Sequence, residues 1–281
     1  MKHLYPHLAA RVFDCPLAIH PVKGRVIARV LGERLGVDLH IDPKAMDDEG
    51  ASIEVSDSYQ VERGVAIIRI AGTLVQRSSF MGAMCGMIGY DQIRRDFLSA
   101  MHDPDVRAVA LEIDSPGGEV AGCFDLVDLI HSYRDQKPTL AILNESAYSA
   151  GYALASACEQ ITVPRTGGTG SVGVIAMHVD YSKALAQAGT SVTLITFGDR
   201  KAEGNEFKPL SDDALARIQA DVDEMGELFV ETVARNRNLS TAKVRATQAG
   251  TYLGAAGVEI GFADAVQAPD EAFRSLLAEL G

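Results

Sequence analysis

The chain has 281 residues, of which 47% are hydrophobic and 23% are charged. This composition is typical of a globular protein and excludes global disorder. The formal net charge of −12 comes without a local cluster of basic residues, which argues against nucleic acid as a partner. The length lies between that of one large domain and that of two small ones.

Cysteine and histidine usage predicts neither a disulfide framework nor a metal site. The cysteines are widely spaced, and no HExxH or CxxC motif is present. They are Cys15, Cys85, Cys123 and Cys158. No apolar run reaches the length of a membrane span, and the opening segment is too interrupted for a secretory signal. We therefore expect no metal, no cofactor and no membrane association, in a reducing, cytoplasm-like compartment.

The pattern along the chain predicts four regions. Residues 1–37 carry apolar residues at helical spacing and predict a small N-terminal helical region. Residues 38–62 are acidic and without period, which predicts a linker. Residues 63–268 form the main domain, and residues 269–281 form a helical tail.

The main domain alternates β-branched runs with amphipathic stretches. This alternation predicts an α/β fold of repeated βαβ units, with helices packed on a mostly parallel sheet. Strands are predicted at 65–70, 107–114, 139–144, 160–163, 171–178 and 191–197. Helices are predicted at 90–102, after residue 120, from Ser149, and over 211–237 with Ser211 as N-cap. The buried seam of the longest helix is predicted to be Ile218, Val222, Met225, Phe229 and Val233.

The first chemically suggestive junction is DSPGGEV at 114–120, between a buried strand and a helix. Adjacent Gly117 and Gly118 allow backbone N–H groups to approach a ligand closely, and a helix N-terminus adds partial positive charge. Such an arrangement stabilises an oxyanion. An ordinary turn between strand and helix explains the same residues.

The second junction is NESAYSAGYALASA at 144–157, where Ser149 begins a helix of small residues. Ser149 suits a nucleophile, but a serine at such a position is, taken alone, more often an N-cap. A nucleophilic serine needs a base, for which His178, Lys201 and Lys208 are candidates. A lysine has an ordinary pKa of about 10.4, so it accepts a proton at neutral pH only when burial lowers that value. The spacing leaves His178 and Lys201 both open.

Taken together, the ordered segments resemble the signal peptide peptidase family of Ser-Lys proteases, which share a fold with the Clp protease subunit and the crotonases. The segments that carry the resemblance are VAIIRIAGTL, EIDSPGGEV, AYSAGYALASACEQI, TGGTGSVGVI, GDRKAEGNEFKPLSDD and TYLGAAGVEIGFADAV, within residues 62–267.

The resemblance implies a role for each matching residue. It makes Ser149 the nucleophile and Lys201 the base, and it gives the oxyanion hole to the N–H of Ala150 and to the SPGG glycines, with Gly118 preferred over Gly117. Ser171 then orients Lys201, and His178 is left with a structural role. Two departures are that Ala150 replaces a common glycine and that DRK replaces the usual GKYK-like text before the lysine.

The segment LAARVFDCPLAIHPVKGRVIARVLGERLG is similar to the start of head-maturation proteases of tailed phages and prophages, a subgroup of the same family. That similarity implies a procapsid protease that works in the bacterial host cytoplasm, with scaffold protein and other procapsid proteins as substrates. It also implies a homo-oligomeric ring in which neighbouring subunits share the dyad. No leading anchor is expected.

Two other functions remain as alternatives. A crotonase-class acyl-CoA enzyme uses the same glycine-rich turn, but it leaves Ser149 and Lys201 without a task. A catalytically idle, scaffold-binding capsid component leaves the dyad unused. The TGGTG at 166–170 lacks the GK[ST] ending of a phosphate loop and is interpreted as a turn.

Overall fold

The fold centres on an eight-stranded sheet, seen in a computed structural model that describes residues 16–20, 59–78 and 86–281. In chain order the strands are β1 (Leu17–Ile19), β2 (Gln60–Glu62), β3 (Val65–Ala71), β4 (Thr73–Val75), β5 (Met87–Gly89), β6 (Ala108–Ser115), β7 (Gly117–Glu119), β8 (Thr139–Ala147), β9 (Gln160–Val163), β10 (Gly168–Gly170), β11 (Thr251–Leu253) and β12 (Ala265–Val266). The helices are α1 (Tyr90–His102), α2 (Cys123–Ser132), α3 (Ala150–Ser156), α4 (Ser182–Gln187), α5 (Asp212–Arg237), α6 (Thr241–Ala246), α7 (Gly254–Ile260) and α8 (Pro269–Leu280).

The large sheet is mostly parallel. Its order is β11-β10-β8-β6-β3-β2, and β9 joins it beside β8 with β12 on its other side. Neighbours from β3 through β6 and β8 to β9 run parallel, while β2 and β11 pair antiparallel at the edges. The predicted α/β architecture with helices on a mostly parallel sheet is confirmed.

Both faces of this sheet are covered. Alternate residues of β3, β6 and β8 pack into a large core with α1, α2, α3 and α5, and the intervening residues pack against α8. Strands buried on both faces have near-continuous apolar sequences, as β6 does. Ala272 and Leu276 of α8 are buried against the sheet, so the predicted C-terminal helical tail packs as part of the core.

The predicted seams of α1 and α2 are confirmed. Their core-facing residues, all buried, are Ile93, Phe97 and Met101 in α1 and Phe124, Val127 and Ile130 in α2. In α5, Ser211 caps the N-terminus by accepting a hydrogen bond from the N–H of Ala214. Only Phe229 and Val233 of its predicted seam are fully buried, because the first half of the helix extends beyond the packed core of the single chain.

Two predicted strands are wrong. Residues 171–178 contribute one isolated bridge, between Ile175 and Leu17, and the regular strand lies before them in β10. Residues 191–197 form no strand in the described chain, and Ile195 and Phe197 are 95% and 101% exposed. β-branched residues favour a strand only where a neighbouring edge is available to pair with, and this loop has none within the described residues of one chain.

A second, small sheet has the order β1-β7-β4-β5 and lies at the first glycine junction. Residues 17–19 were predicted to be helical and instead form β1, because they pair antiparallel with β7. β2 likewise occupies the end of the predicted 38–62 linker. The remaining predictions for residues 1–15, 21–37 and 38–58 lie outside the described residues.

Candidate active site

Ser149 lies at a sharp turn between β8 and α3. Its backbone has φ 53° and ψ −121°, and its side chain is fully buried. Its N–H donates to the carbonyl of Gly170 over 2.8 Å. The side chain accepts no capping hydrogen bond from α3, and Oγ lies 3.4 Å from the carbonyl oxygen of Gly173. The N-cap interpretation of this serine therefore loses its main support.

The glycine turn lies directly against Ser149. A Cβ built on Gly117, whose φ is +98°, would meet the Cβ of Ser149 at 3.0 Å and the carbonyl oxygen of Ala18 at 2.2 Å. A Cβ on Gly118 would instead meet the carbonyl oxygen of Leu74 at 1.8 Å. Both positions therefore require glycine, and the Cβ built on Gly117 would contact the serine.

Ser115, which the sequence analysis passed over, ties the two junctions together. Its Oγ donates to the carbonyl of Gly72 over 2.7 Å and accepts the N–H of Gly117 over 3.2 Å. Its own carbonyl accepts the N–H of Tyr148 over 3.0 Å. The signal was available in the motif, because a serine at a strand end directly before Pro-Gly-Gly has a hydroxyl in reach of the turn.

Helix α3 is held close to β6 by small residues. A Cβ on Gly151 would lie 3.0 Å from the Cβ of Ser115. The close approach places Ala150 at the first position of the helix, where a backbone N–H has no intrahelical acceptor. This N–H and the glycine turn are thus the two sources of donors that flank Ser149.

Ser171 reaches the same neighbourhood from β10. It is buried with a φ of 57°, and its N–H donates to the carbonyl of Gly250 over 2.8 Å. The preceding Gly170 accepts the N–H of Ser149. The structure therefore brings Ser149, the glycine turn, Ala150 and Ser171 together, as the sequence analysis expects.

The candidate bases do not join them in the single chain. Lys201 and Lys208 are exposed on the loop before α5, and Lys201 makes no hydrogen bond to Ser149 within the part of the chain that is described. His178 is half-buried, with Nε2 placed 3.2 Å from the carbonyl oxygen of Asn205. That contact ties down the loop and agrees with a structural role for the histidine.

The interior around Ser149 is uncharged. In residues 16–20, 59–78 and 86–281 the polar residues that are buried as a whole are all serine, threonine or asparagine. The side chain of Arg237 is also buried, and it is paired with Asp264. Among the described residues, the buried polar groups therefore include no histidine, lysine or carboxylate that could accept the proton of Ser149.

The remaining predictions about composition concern metals, thiols and membranes. The described residues contain no cluster of side chains suited to a metal ion, and none of their helices is both long and apolar enough to cross a bilayer. Cys123 and Cys158 are free and buried, and burial raises the pKa of each thiol to about 12. Cys15 and Cys85 lie outside the described residues.

The chain belongs to peptidase family S49, whose model matches residues 131–281. It is 38% identical over 277 residues to "Head-tail preconnector protein GP5" of Enterobacteria phage P21, covering 94% of this chain and 55% of that protein. It is 36% identical over 273 residues to "Capsid assembly protease C" of Escherichia phage lambda, covering 92% and 62%. The chain therefore spans between half and two thirds of the length of these relatives.

More distant similarities extend beyond phages. "Protease 4" of Haemophilus influenzae is 25% identical over 219 residues, covering 77% of this chain and 35% of that protein. Among solved structures, a point mutant of ClpP1 from Listeria monocytogenes matches 73% of this chain and 93% of its own, at 12% identity and a TM-score of 0.42. An enoyl-CoA hydratase of Shewanella pealeana matches 79% and 72%, at 11% identity and a TM-score of 0.48.

Proposed function

We propose that this chain is a serine endopeptidase in which Ser149 is the nucleophile and Lys201 is the base, and that it cleaves scaffold protein and other procapsid proteins during phage head assembly. The observation that carries the proposal is the placement of Ser149. It lies at a tight turn before a helix, and its side chain makes no capping hydrogen bond. It also lies against a glycine turn that is too close to neighbouring backbone atoms to carry a side chain.

The reaction begins when neutral Lys201 takes the hydroxyl proton of Ser149 as Oγ attacks a peptide carbonyl. The N–H groups of Ala150 and of the glycine turn stabilise the oxyanion, and the loss of one such donor typically raises the barrier by about 3 to 4 kcal/mol. Gly117 lies against Ser149, but its N–H already donates to Oγ of Ser115 over 3.2 Å. Gly118, which the sequence favours, therefore stays the proposed donor from the turn. Lysine then protonates the leaving amine, and water hydrolyses the acyl-enzyme.

The position of Lys201 supports a base supplied by a neighbouring subunit. Its side chain is exposed in the single chain, whereas Ser149 is fully buried. The loop that carries it also exposes Ile195 and Phe197, large apolar side chains that a second subunit would cover. Burial in such an interface favours the neutral form of an ammonium group, which is what a base requires. We infer that Ser171, which is buried beside the residue that accepts the N–H of Ser149, orients the incoming lysine.

The first test is reaction with a serine-directed phosphonate. We expect labelling of the wild type at Ser149, none in Ser149→Ala, and a loss of at least 100-fold in the labelling rate of Lys201→Ala. Lys208→Ala is the matched control, because Lys208 is a second exposed lysine of the same loop. Equal losses in the two lysine variants would contradict the assignment of Lys201.

The second test separates a shared site from one built within a single chain. Ser149→Ala and Lys201→Ala chains are each inactive, and when mixed they form sites that combine an intact serine with an intact lysine. Activity should reappear and depend on the mixing ratio. Absence of rescue at every ratio, in a mixture shown to exchange subunits, would contradict the shared site.

The substrates are proposed from the phage relatives, whose names describe a capsid assembly protease and a head-tail preconnector protein. Incubation with the scaffold protein encoded beside this chain, followed by mass spectrometry, tests the assignment. We expect defined fragments with wild type and none with Ser149→Ala. If the scaffold protein stays intact while the enzyme reacts with the phosphonate, the proposed substrate is rejected and the proposed nucleophile Ser149 is retained.

A further inference from the structure

The segment Pro16–His20 lies between two other backbone segments and pairs with both. On one side it runs antiparallel to β7, with Ala18 opposite Gly118, and the N–H of His20 donates to the carbonyl of Pro116 over 2.7 Å. On its other side Leu17 and Ile175 exchange two hydrogen bonds, of 2.8 and 2.9 Å. The segment is thus paired with β7 on one side and bridged to Ile175 on the other.

The segment Pro16–His20 lies next to the candidate nucleophile. A Cβ on Gly117 would be 2.2 Å from the carbonyl oxygen of Ala18 and 3.0 Å from both the Cα of Ile19 and the Cβ of Ser149. The ring centroid of His20 is 4.8 Å from that of Tyr148, the residue before the serine. The peptide linking residues 18 and 19 therefore runs past Ser149 along the glycine turn.

The segment is packed as well as paired. The side chains of Leu17, Ala18 and Ile19 are at most 6% exposed, and the nearby Ser149 is 0% exposed. Extended peptides bind to proteins by adding a strand to an open edge, with pockets for alternate side chains. Here the edge of β7 and the facing edge at Ile175 are both already used, so a second extended peptide cannot pair with either.

We propose that Pro16–His20 is a tethered inhibitor, which occupies the cleft where an extended substrate peptide pairs beside Ser149. The inference rests on the proposed function and specifies the ligand class of the same site: an extended chain with apolar side chains on both sides of a small residue. A tethered segment competes at an effective concentration on the order of millimolar, so substrate enters only after the segment is displaced.

The test displaces the segment in the full chain. Leu17→Asp with Ile19→Asp places two carboxylates in apolar sites and favours the displaced state. Leu276→Asp, an equally buried leucine of α8 on the other face of the sheet, controls for general destabilisation. Each is made with and without Ser149→Ala.

In the Ser149→Ala background, a fluorescein-labelled peptide copying residues 16–22 is titrated by fluorescence polarisation. We expect the double variant to bind it at least tenfold more tightly than the matched wild type or the Leu276→Asp control. In the active background, phosphonate labelling of Ser149 should be at least tenfold faster in the double variant. Equal peptide affinity and equal labelling in all three proteins would overturn the proposal.

The two readouts separate this inference from the proposed function. Peptide binding without labelling in any protein would reject Ser149 as nucleophile and leave the tethered inhibitor in place. Labelling of wild type at the rate of the double variant would support Ser149 as nucleophile and reject the tethered inhibitor. If the double variant does not fold, hydrogen exchange of the wild type decides: the amides of His20 and Ile175 should be protected, and exchange at unprotected rates would overturn the proposal.

Discussion

Arg134 joins the end of the helix that follows Ser149 to the rest of the core. Its guanidinium donates to the carbonyls of Ala157 and Ser156 over 2.7 Å each, to that of Asn236 over 3.1 Å, and to that of Cys158. Three of these acceptors are at the C-terminal end of α3, where carbonyls lack intrahelical partners, and the fourth is in α5. Removal of Arg134 should therefore loosen α3 at the end opposite the nucleophile.

The expected loss for Arg134→Ala is about 3 to 4 kcal/mol of unfolding free energy. Hydrogen bonds to charged groups are worth about 1.5 to 3 kcal/mol each, but four bonds from one half-buried side chain do not add fully. In a domain of this size about 1 kcal/mol shifts Tm by roughly 2 to 4 °C, so Tm should fall by about 10 °C. Arg134→Lys should recover less than half, because an ammonium cannot reproduce the planar fork.

Thermal unfolding followed by circular dichroism measures both losses. Arg274→Ala is the matched control, because its ion pair with Asp270 is exposed, at 70% and 77%, and such pairs contribute about 0.2 to 1 kcal/mol. The control should unfold within about 4 °C of wild type. An Arg134→Ala protein no less stable than Arg274→Ala would refute the reasoning.

Two further predictions concern local packing. Gly117→Ala should cost clearly more unfolding free energy than Gly122→Ala in urea titrations, since both positions have positive φ but a Cβ on Gly122 would meet nothing nearer than 3.4 Å, against 2.2 Å at Gly117; equal costs would contradict the crowding argument. Cys123 and Cys158 should resist iodoacetamide at pH 8 in the folded chain and react after unfolding, because burial raises the pKa of each to about 12. Peptide mapping checks this, and rapid labelling of both in the native state would contradict it.

The local patterns of the main domain carry enough information to predict its core. The seam of α1 repeats at helical spacing, and β6 begins with the apolar run of residues 108–111. Each of these elements buries its own apolar face, so its pattern is visible in its own residues.

The elements that the sequence analysis missed depend on distant partners. β1 is three residues long, and it is a strand because β7, a hundred residues later, offers an edge beside Ile175. Residues 191–197 have the composition of a strand without an edge in the described chain. Propensity cannot decide either case, since pairing across the fold determines both.

The site divides in the same way. Ser149, the two glycines of the SPGG turn, Ala150 and Ser171 were predicted from motifs and a family resemblance. The fold brings them together because the parallel strands β6 and β8 end at one edge. The pairing of Pro16–His20 with β7 beside Ser149 was not predicted, since no motif in the sequence marks the segment as a pairing partner. The base also stays a proposal, because the single chain leaves Lys201 at its surface.

The backbone conformation of Ser149 bears on which residue is favoured at this position. A side-chain-bearing residue held at φ 53° and ψ −121° costs of order 1 to 3 kcal/mol, which a glycine at the same place would avoid. A Ser149→Gly substitution would therefore relieve backbone strain and remove the hydroxyl. The proposed nucleophilic role accounts for a serine at this strained position, because a glycine there would relieve the strain but would carry no hydroxyl.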